Sequence, residues 1–263
     1  MLGLGNNLVS GSDGHRPRFS LQGDGTGDAM NIGDIQSIIR GSFTINCWMR
    51  LDDSTPSAET AAGGHHIDGS NYLYYGQITT SGNTNFAFGA DGTGINFSGS
   101  ADLDGSGTGL SGNSQSDWFM VTLIATLDSG SSDSTFAYYT NANAISTNLT
   151  LAKAKHTAFA TGGNVFAFGA RNDGGTISRS IDGNIAECAI WNTALDADAV
   201  TALYNSGASL NPMINSGNYD NSSALVRYYN FDQGSGTSIT DQTTNANGTL
   251  VGNPTYSEDH PGS

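Results

Sequence analysis

Residues 183–207 read GNIAECAIWNTALDADAVTALYNSG, and this stretch decides the fold. Its first half, 185–191, is a short apolar run of strand length. Its second half carries helix punctuation. Asp196 is a favoured N-cap, and Leu195 ahead of it can staple to Val200. Val200, Leu203 and Tyr204 follow at helical spacing and make one narrow apolar stripe. Gly207 stands after the last periodic residue, where a left-handed C-cap ends a helix. The spacing predicts one short helix near 197–205, which is too short to stand alone and must lie on something.

Almost everything around it reads as strands and turns. In FTINCWMRL (43–51), Phe43, Ile45, Cys47, Met49 and Leu51 share one face, and Thr44, Asn46, Trp48 and Arg50 the other, which is a strand with one face on a core. NYLYYGQI (71–78) and TNFAFGA (84–90) are further strands. WFMVTLIATL (118–127) is nearly continuously apolar and reads as a central strand, and STFAYYTN (134–141) follows. NFAFGADGTG (85–94) echoes VFAFGARNDGG (165–175), as two strands in similar surroundings would, without the fixed period of a repeat array. After an Asn/Ser-rich connector (211–223) come the strands ALVRYYNF (224–231) and GTLVG (248–252). This segment is too small to fold by itself. It forms a hairpin on the same body or pairs with a neighbouring subunit. The helix is expected across one end or edge of the strand layers, anchored by 185–191.

Composition narrows the function classes. Gly at 36 residues suggests disorder, but 37% hydrophobic and 9% aromatic content, the aromatics falling in regularly spaced clusters, argues for a folded chain. The net charge of −15 repels phosphate backbones, so nucleic acid is an unfavourable partner. MLGLGNNLVS lacks the basic and apolar regions of a secretory signal, and no stretch is apolar enough to span a bilayer. Cys47 and Cys188 have neither disulfide-scaffold nor metal-ligand spacing; they read as small core residues, with a bridge between neighbouring strands as the alternative.

These residues resemble the laminin-G-like, or concanavalin-A-like, lectin/glucanase superfamily. SFTINCWMR is similar to that family's sheet-core strand, with Phe43, Ile45 and Trp48 at the recurring positions. DWFMVTLIATLD looks like its Trp-led strand, and FAFGA (166–170) like its short hydrophobic-Gly strand. The most specific match is Gly-x-Ile-x-Glu, Ile-Trp-Asn, Ala-Leu and Leu-Tyr-Asn-x-Gly in 183–207. SLQGDGTGDAMNIG (20–33) resembles its entry strand loosely. The resemblance implies an all-β, two-sheet antiparallel jelly-roll sandwich. The division that follows is an N-terminal arm (1–18), the sandwich (19–207) and a C-terminal extension (208–263) packing on the sandwich or on a neighbour. The tail looks like the segment that usually precedes such a domain. Its place after the helix, with the MLGLGN opening, resembles virion proteins of tailed bacteriophages, marine ones in particular.

The resemblance also implies calcium at the sandwich rim, where several hard oxygen ligands must wrap one ion. Asp24 and Asp28 in GDGTGD and Asp182 in SIDGN are the candidate ligands; as Asx-turn residues they have an equally simple explanation. Asp102 and Asp104 begin like a calcium-binding loop but lack its twelfth-position acid and helical flanks. His65 and His66 in GGHHIDG read as an exposed loop. Sugar recognition combines an aromatic face with amide hydrogen-bonders, which Asn71, Tyr72, Tyr74, Tyr139 and Asn141 supply; the competing reading is tyrosines packed on strands. Glycoside hydrolysis needs two carboxylates facing one sugar. The only glutamates are Glu59, Glu187 and Glu258, and none sits in the Glu-x-Asp-x-x-Glu pattern of enzymes with this fold.

The expected function is accordingly non-catalytic: a virion surface protein, on a capsid or on a tail or fibre, contacting cell-surface glycans or stabilising the particle. Its partners would be other virion proteins, cell-surface glycans and further copies of itself. A carbohydrate-binding module or adhesin of a bacterial surface is the alternative, and a glycoside hydrolase stands third.

Overall fold

The computed structural model describes residues 15–39, 41–52, 117–126, 135–144, 165–172 and 175–263, with the strand backbones also at 60–66, 72–78, 84–89, 95–99, 134, 145–151 and 173. The described residues form two sheets with a short helix on one of them. The first sheet contains β1 (Ser20–Asp24), β3 (Phe43–Leu51), β8 (Phe119–Thr126), β9 (Ser134–Thr140), β10 (Asn143–Leu151), β14 (Asp182–Trp191), β15 (Leu225–Tyr229) and β18 (Thr255–Ser257). Its order is β10-β9-β8-β3-β14-β1-β18, with β15 also on β14. The second sheet contains β2 (Ala29–Asn31), β4 (Thr60–His66), β5 (Tyr72–Ile78), β6 (Thr84–Gly89), β7 (Ile95–Gly99), β11 (Ala167–Phe168), β12 (Arg171–Asp173), β13 (Thr176–Ser178), β16 (Ser238–Ile239) and β17 (Gly248–Val251). Its order is β16-β17-β2-β11-β4-β5-β6-β7, with β12 and β13 beside β4. Pairing is antiparallel except where Asp173 of β12 meets His66 of β4. This is the expected all-β sandwich.

The period-two pattern of β3 builds the core. Phe43, Ile45, Cys47, Met49 and Leu51 all face the inter-sheet layer, where they meet Met30, Ile32, Phe166, Phe168 and Ile239 of the opposite sheet. Cys47 and Cys188 are both buried and unbridged, and burial, then the neighbouring Cys47, pushes the Cys188 thiol well up. The outer face of β3 is buried too, against the expectation of a single covered face. Trp48, Met120, Tyr139, Ala189 and Trp191 form a second apolar cluster there with Leu195, Val200, Leu203 and Leu210. Two tryptophans facing outward need cover, and the helix supplies it.

That helix runs Ala197–Tyr204, with Asp196 as N-cap accepting from the Ala199 N–H at 2.8 Å. It lies on the outer face of the first sheet rather than across an end or edge, because Val200 and Leu203 seat on the Trp48–Trp191 cluster. Thr44 fixes the approach: its hydroxyl donates to the Thr193 carbonyl and accepts from the Leu195 N–H. The C-cap is Asn205, left-handed at φ 45°, not Gly207. Asparagine tolerates that conformation, and its side-chain amide donates to the Ser209 carbonyl at 2.7 Å. A one-turn helix, Gln36–Ile39, was not expected.

Residues 208–263 are woven into both sheets of their own chain. β15 pairs with β14 over Cys188–Trp191, just beyond the part of β14 that pairs with β1. β17 pairs with β2, and β18 closes on β1. Arg50 and Trp118 then hold Asp259 to the outer face, at 2.9 and 2.7 Å.

The Trp191 indole N–H donates to the Tyr219 hydroxyl at 2.8 Å, and that hydroxyl donates to the Pro212 carbonyl at 2.7 Å. Burial pushes the Tyr219 ionisation up to about 12, the Trp191 hydrogen bond partly offsetting it. Burial, then Asp241, pushes Tyr229 up as well. The folded chain thus keeps protons that unfolded tyrosines release near pH 10, so these groups favour folding below pH 10 and that contribution is lost as the pH rises toward 12. An alkaline titration followed by phenolate absorbance should show a late, cooperative step coincident with loss of tryptophan fluorescence. Independent tyrosine ionisation without unfolding would contradict the burial.

Candidate ligand-binding cleft

Not all of the sequence-derived sugar contacts can be placed. Asn71 lies outside the described residues. Tyr72 and Tyr74 are on β5, paired with Gly89 and Ala87 of β6, and their side chains also lie outside what is described. Tyr139 packs its ring into the outer-face cluster at 7% exposure, and burial, then Asp196, raises its ionisation. Asn141 is left-handed at φ 56° in the β9–β10 turn. There its side-chain oxygen accepts from the Met120 N–H at 2.9 Å. Both residues have structural employment.

Asp24 lies opposite Asp182 in the β1–β14 register. Asp28, 4% exposed, accepts from the Asp24 N–H at 3.1 Å and from the Asn253 N–H at 2.7 Å, one on each carboxylate oxygen. Asp24 accepts from the Thr26 N–H at 2.9 Å, an Asx-type turn. Among the described residues, no group of three or more His, Cys, Asp or Glu side chains is arranged to hold a metal ion. The geometry given to Asp28 is that of a turn staple tying the entry loop to the C-terminal segment. His65 and His66 are strand residues at the end of β4, paired with Leu73 and Tyr72, rather than loop residues. Asp102 and Asp104 fall outside the described residues.

Glu187 is the buried acid that the sequence singled out only as a non-catalytic glutamate. It sits left-handed, at φ 51°, where the β14–β3 register slips by one residue. Its Oε2 accepts from the Tyr228 hydroxyl at 2.6 Å and meets His15 Nε2 at 2.8 Å. Enclosed by these partners and 3% exposed, it holds the start of the described chain against the sheet.

A cleft large enough to admit a ligand lies elsewhere among the described residues. A cleft of about 440 Å³ opens beside the C-terminal end of the 197–204 helix, between that helix, the 209–219 loop and the β9–β10 turn. Thr201, Tyr204, Asn205 and Ser206 form one wall, Ser216 and Gly217 the other, with Ala142 at the turn. The size suits a small ligand. Tyr204 is fixed by stacking on Trp48, with ring centroids 5.5 Å apart and planes at 13°. Three non-glycine residues, Asn205, Ser206 and Ser209, are left-handed at φ 45°, 56° and 57°, and such strain clusters at binding sites. The opposite wall is equally rigid: Ser216 and Tyr219 exchange backbone hydrogen bonds at 2.9 and 3.0 Å, and Tyr219 is locked to Trp191 and Pro212. Met213 and Ile214, 41% and 53% exposed, cap the same loop. Among the described lining residues there is no carboxylate and no cation. Sequence reasoning took LYNSG as a helix stop; its signal was a tyrosine followed by small polar residues that tolerate left-handed backbone.

Residues 24–201 match a laminin-G family described as the Concanavalin A-like lectin/glucanases superfamily. No curated protein matches the chain. Among solved structures, a Bacteroides ovatus protein provisionally described as carbohydrate binding superposes with a TM-score of 0.62 at 16% identity, over 94% of this chain and 62% of its own. The chain thus spans 62% of that relative's length. The CBM40 domain of the Ruminococcus gnavus IT-sialidase, bound to alpha2,3 sialyllactose, gives 0.49 at 15% identity, over 70% of this chain and 96% of its own. A NanB sialidase from Streptococcus pneumoniae gives 0.47 at 20% identity, over 66% and 27%. These likenesses concern the fold.

Proposed function

We propose that this chain, which belongs to the Concanavalin A-like lectin/glucanases superfamily, is a non-catalytic carbohydrate-binding domain that seats its glycan beside the 197–204 helix. The observation that carries this reading is the rigid cleft of about 440 Å³, walled by a fixed tyrosine and by small hydroxyl and amide side chains. Aromatic surface and convergent polar groups suit a sugar ring, and a wall already rigid before binding loses little entropy when the ligand arrives. The lack of carboxylates among its described lining residues favours binding over hydrolysis, which needs an acid and a base or nucleophile.

Calorimetric titration of the chain against a glycan panel tests this, run with and without a chelator so that calcium at Asp24, Asp28 and Asp182 is judged in the same experiment. Thr201 is exposed, and its hydroxyl donates to the Ala197 carbonyl within its own helix, so Thr201→Trp blocks the cleft without entering the core. It is expected to weaken binding at least tenfold, with the thermal melting point retained. Glycan affinity unchanged in Thr201→Trp would move the site elsewhere.

The setting we propose is a virion surface, in several copies on a capsid, tail or fibre. Its support is the order of the sequence, with the LVRYYNF segment following the helix. A bacterial-surface module accommodates the same domain, and family membership favours it equally. Copurification with purified phage particles, or with a bacterial envelope fraction, separates the two.

A further inference from the structure

We infer that the cleft selects uncharged glycans and discriminates against sialylated, uronate-bearing or sulfated ones, an inference that rests on the reading of this cleft as the glycan site. Three independent features set its electrostatics. No Lys, Arg or His is among the described residues that line it. Arg50 is instead paired with Asp52 and Asp259, at 2.8 and 2.9 Å, and Arg227 donates to the Val226 carbonyl.

The second feature is the helix itself. It ends in the cleft wall at Tyr204, so the ligand meets a helix C-terminus, the end that carries partial negative charge. That partial negative charge suits the hydroxyl donors of a neutral sugar and repels a carboxylate. The third feature is the whole-chain field: 24 acidic residues against 9 basic ones give −15, which lowers the local concentration of any anion. A sialic acid entering here would lose hydration from its carboxylate and gain no counter-charge.

The test is a pair of titrations on the full chain at low and high salt. Neutral disaccharides (lactose, chitobiose, cellobiose, maltose) are compared with sialyllactose and a glucuronate-containing disaccharide. The expected result is binding by at least one neutral sugar, insensitive to salt and lost in Thr201→Trp. The acidic sugars should bind at least tenfold more weakly, and their binding should strengthen as salt screens the repulsion. Thr201→Lys, which sets an ammonium beside the helix C-terminus, should narrow the ratio between neutral and acidic sugars several-fold. Equal or tighter binding of sialyllactose in the wild-type chain, lost in Thr201→Trp, would overturn this inference and leave the glycan site standing. Binding of no sugar, or binding indifferent to Thr201→Trp, would overturn the site reading itself.

Discussion

Gly183→Ala is expected to cost about 4 kcal/mol or more. Gly183, the second residue of β14, has φ 144°, a conformation that side-chain-bearing residues rarely adopt. A Cβ placed there would stand 2.1 Å from the Arg50 carbonyl oxygen and 2.8 Å from the Leu51 Cα. Both neighbours are backbone of β3, which is itself hydrogen-bonded to β8 along its far edge. Moving either backbone would break the β14–β3 ladder where Gly183 pairs with Leu51 and Asn184 with Arg50. Gly175→Ala separates the two contributions, because Gly175 also has a positive φ, 101°, but open space around it; its cost should stay near about 1 kcal/mol. Urea denaturation followed by tryptophan fluorescence gives both values. Similar costs at the two positions would show that β14 and β3 do not approach as closely as described.

Asp241→Asn should cost about 3 to 5 kcal/mol although it changes hardly any volume. The side chain is fully buried. Oδ1 accepts from the Tyr228 N–H at 3.0 Å and from the Thr243 N–H and hydroxyl at 2.9 and 2.8 Å. Oδ2 accepts from the Asn245 and Ala246 N–H groups at 3.2 and 2.9 Å. Every one of these partners is a donor. An asparagine, whichever way it is turned, points its NH2 group at least at two backbone N–H groups, so a set of charge-assisted bonds becomes a buried donor conflict. The damage should be local in origin but wide in reach, since this turn joins β16 to β17 in the second sheet and its carboxylate also holds Tyr228 of β15 in the first. Asp232→Asn is the matched control. That carboxylate is partly exposed and accepts from the Arg18 N–H and the Asn230 amide, and its loss should cost no more than about 1 kcal/mol. Equal midpoints for the two variants would remove Asp241 from this role.

The sheets were legible because their sequence patterns are local. The alternation in 43–51 fixed which residues of β3 face the inter-sheet core, and the near-continuous apolar run at 118–127 marked β8 as central. Asp196 and the Val200–Leu203 spacing located the helix to within a residue. What the pattern could not supply was the third layer. Trp48 on the polar face of β3 was a visible anomaly, yet only tertiary packing reveals that the helix covers it. Asp24 and Asp28 accept from backbone amides, and a carboxylate that serves backbone amides looks identical in sequence to one that serves a cation. The cleft was missed for a related reason. Its walls come from a helix end, a loop and a distant hairpin turn, and LYNSG is as good a stop signal as it is a sugar-facing edge.

The pairing of Ser20 with Ser257 and of Leu21 with Tyr256 bears on how the chain reaches its native state. Contacts between strands so distant in sequence carry a large loop-closure cost, and folds dominated by such contacts form slowly. During synthesis β1 must wait for β18, β2 for β17, and the outer edge of β14 for β15. A nascent chain on the ribosome would therefore expose unpaired strand edges until β15, β17 and β18 emerge, a period when association with other chains competes with folding.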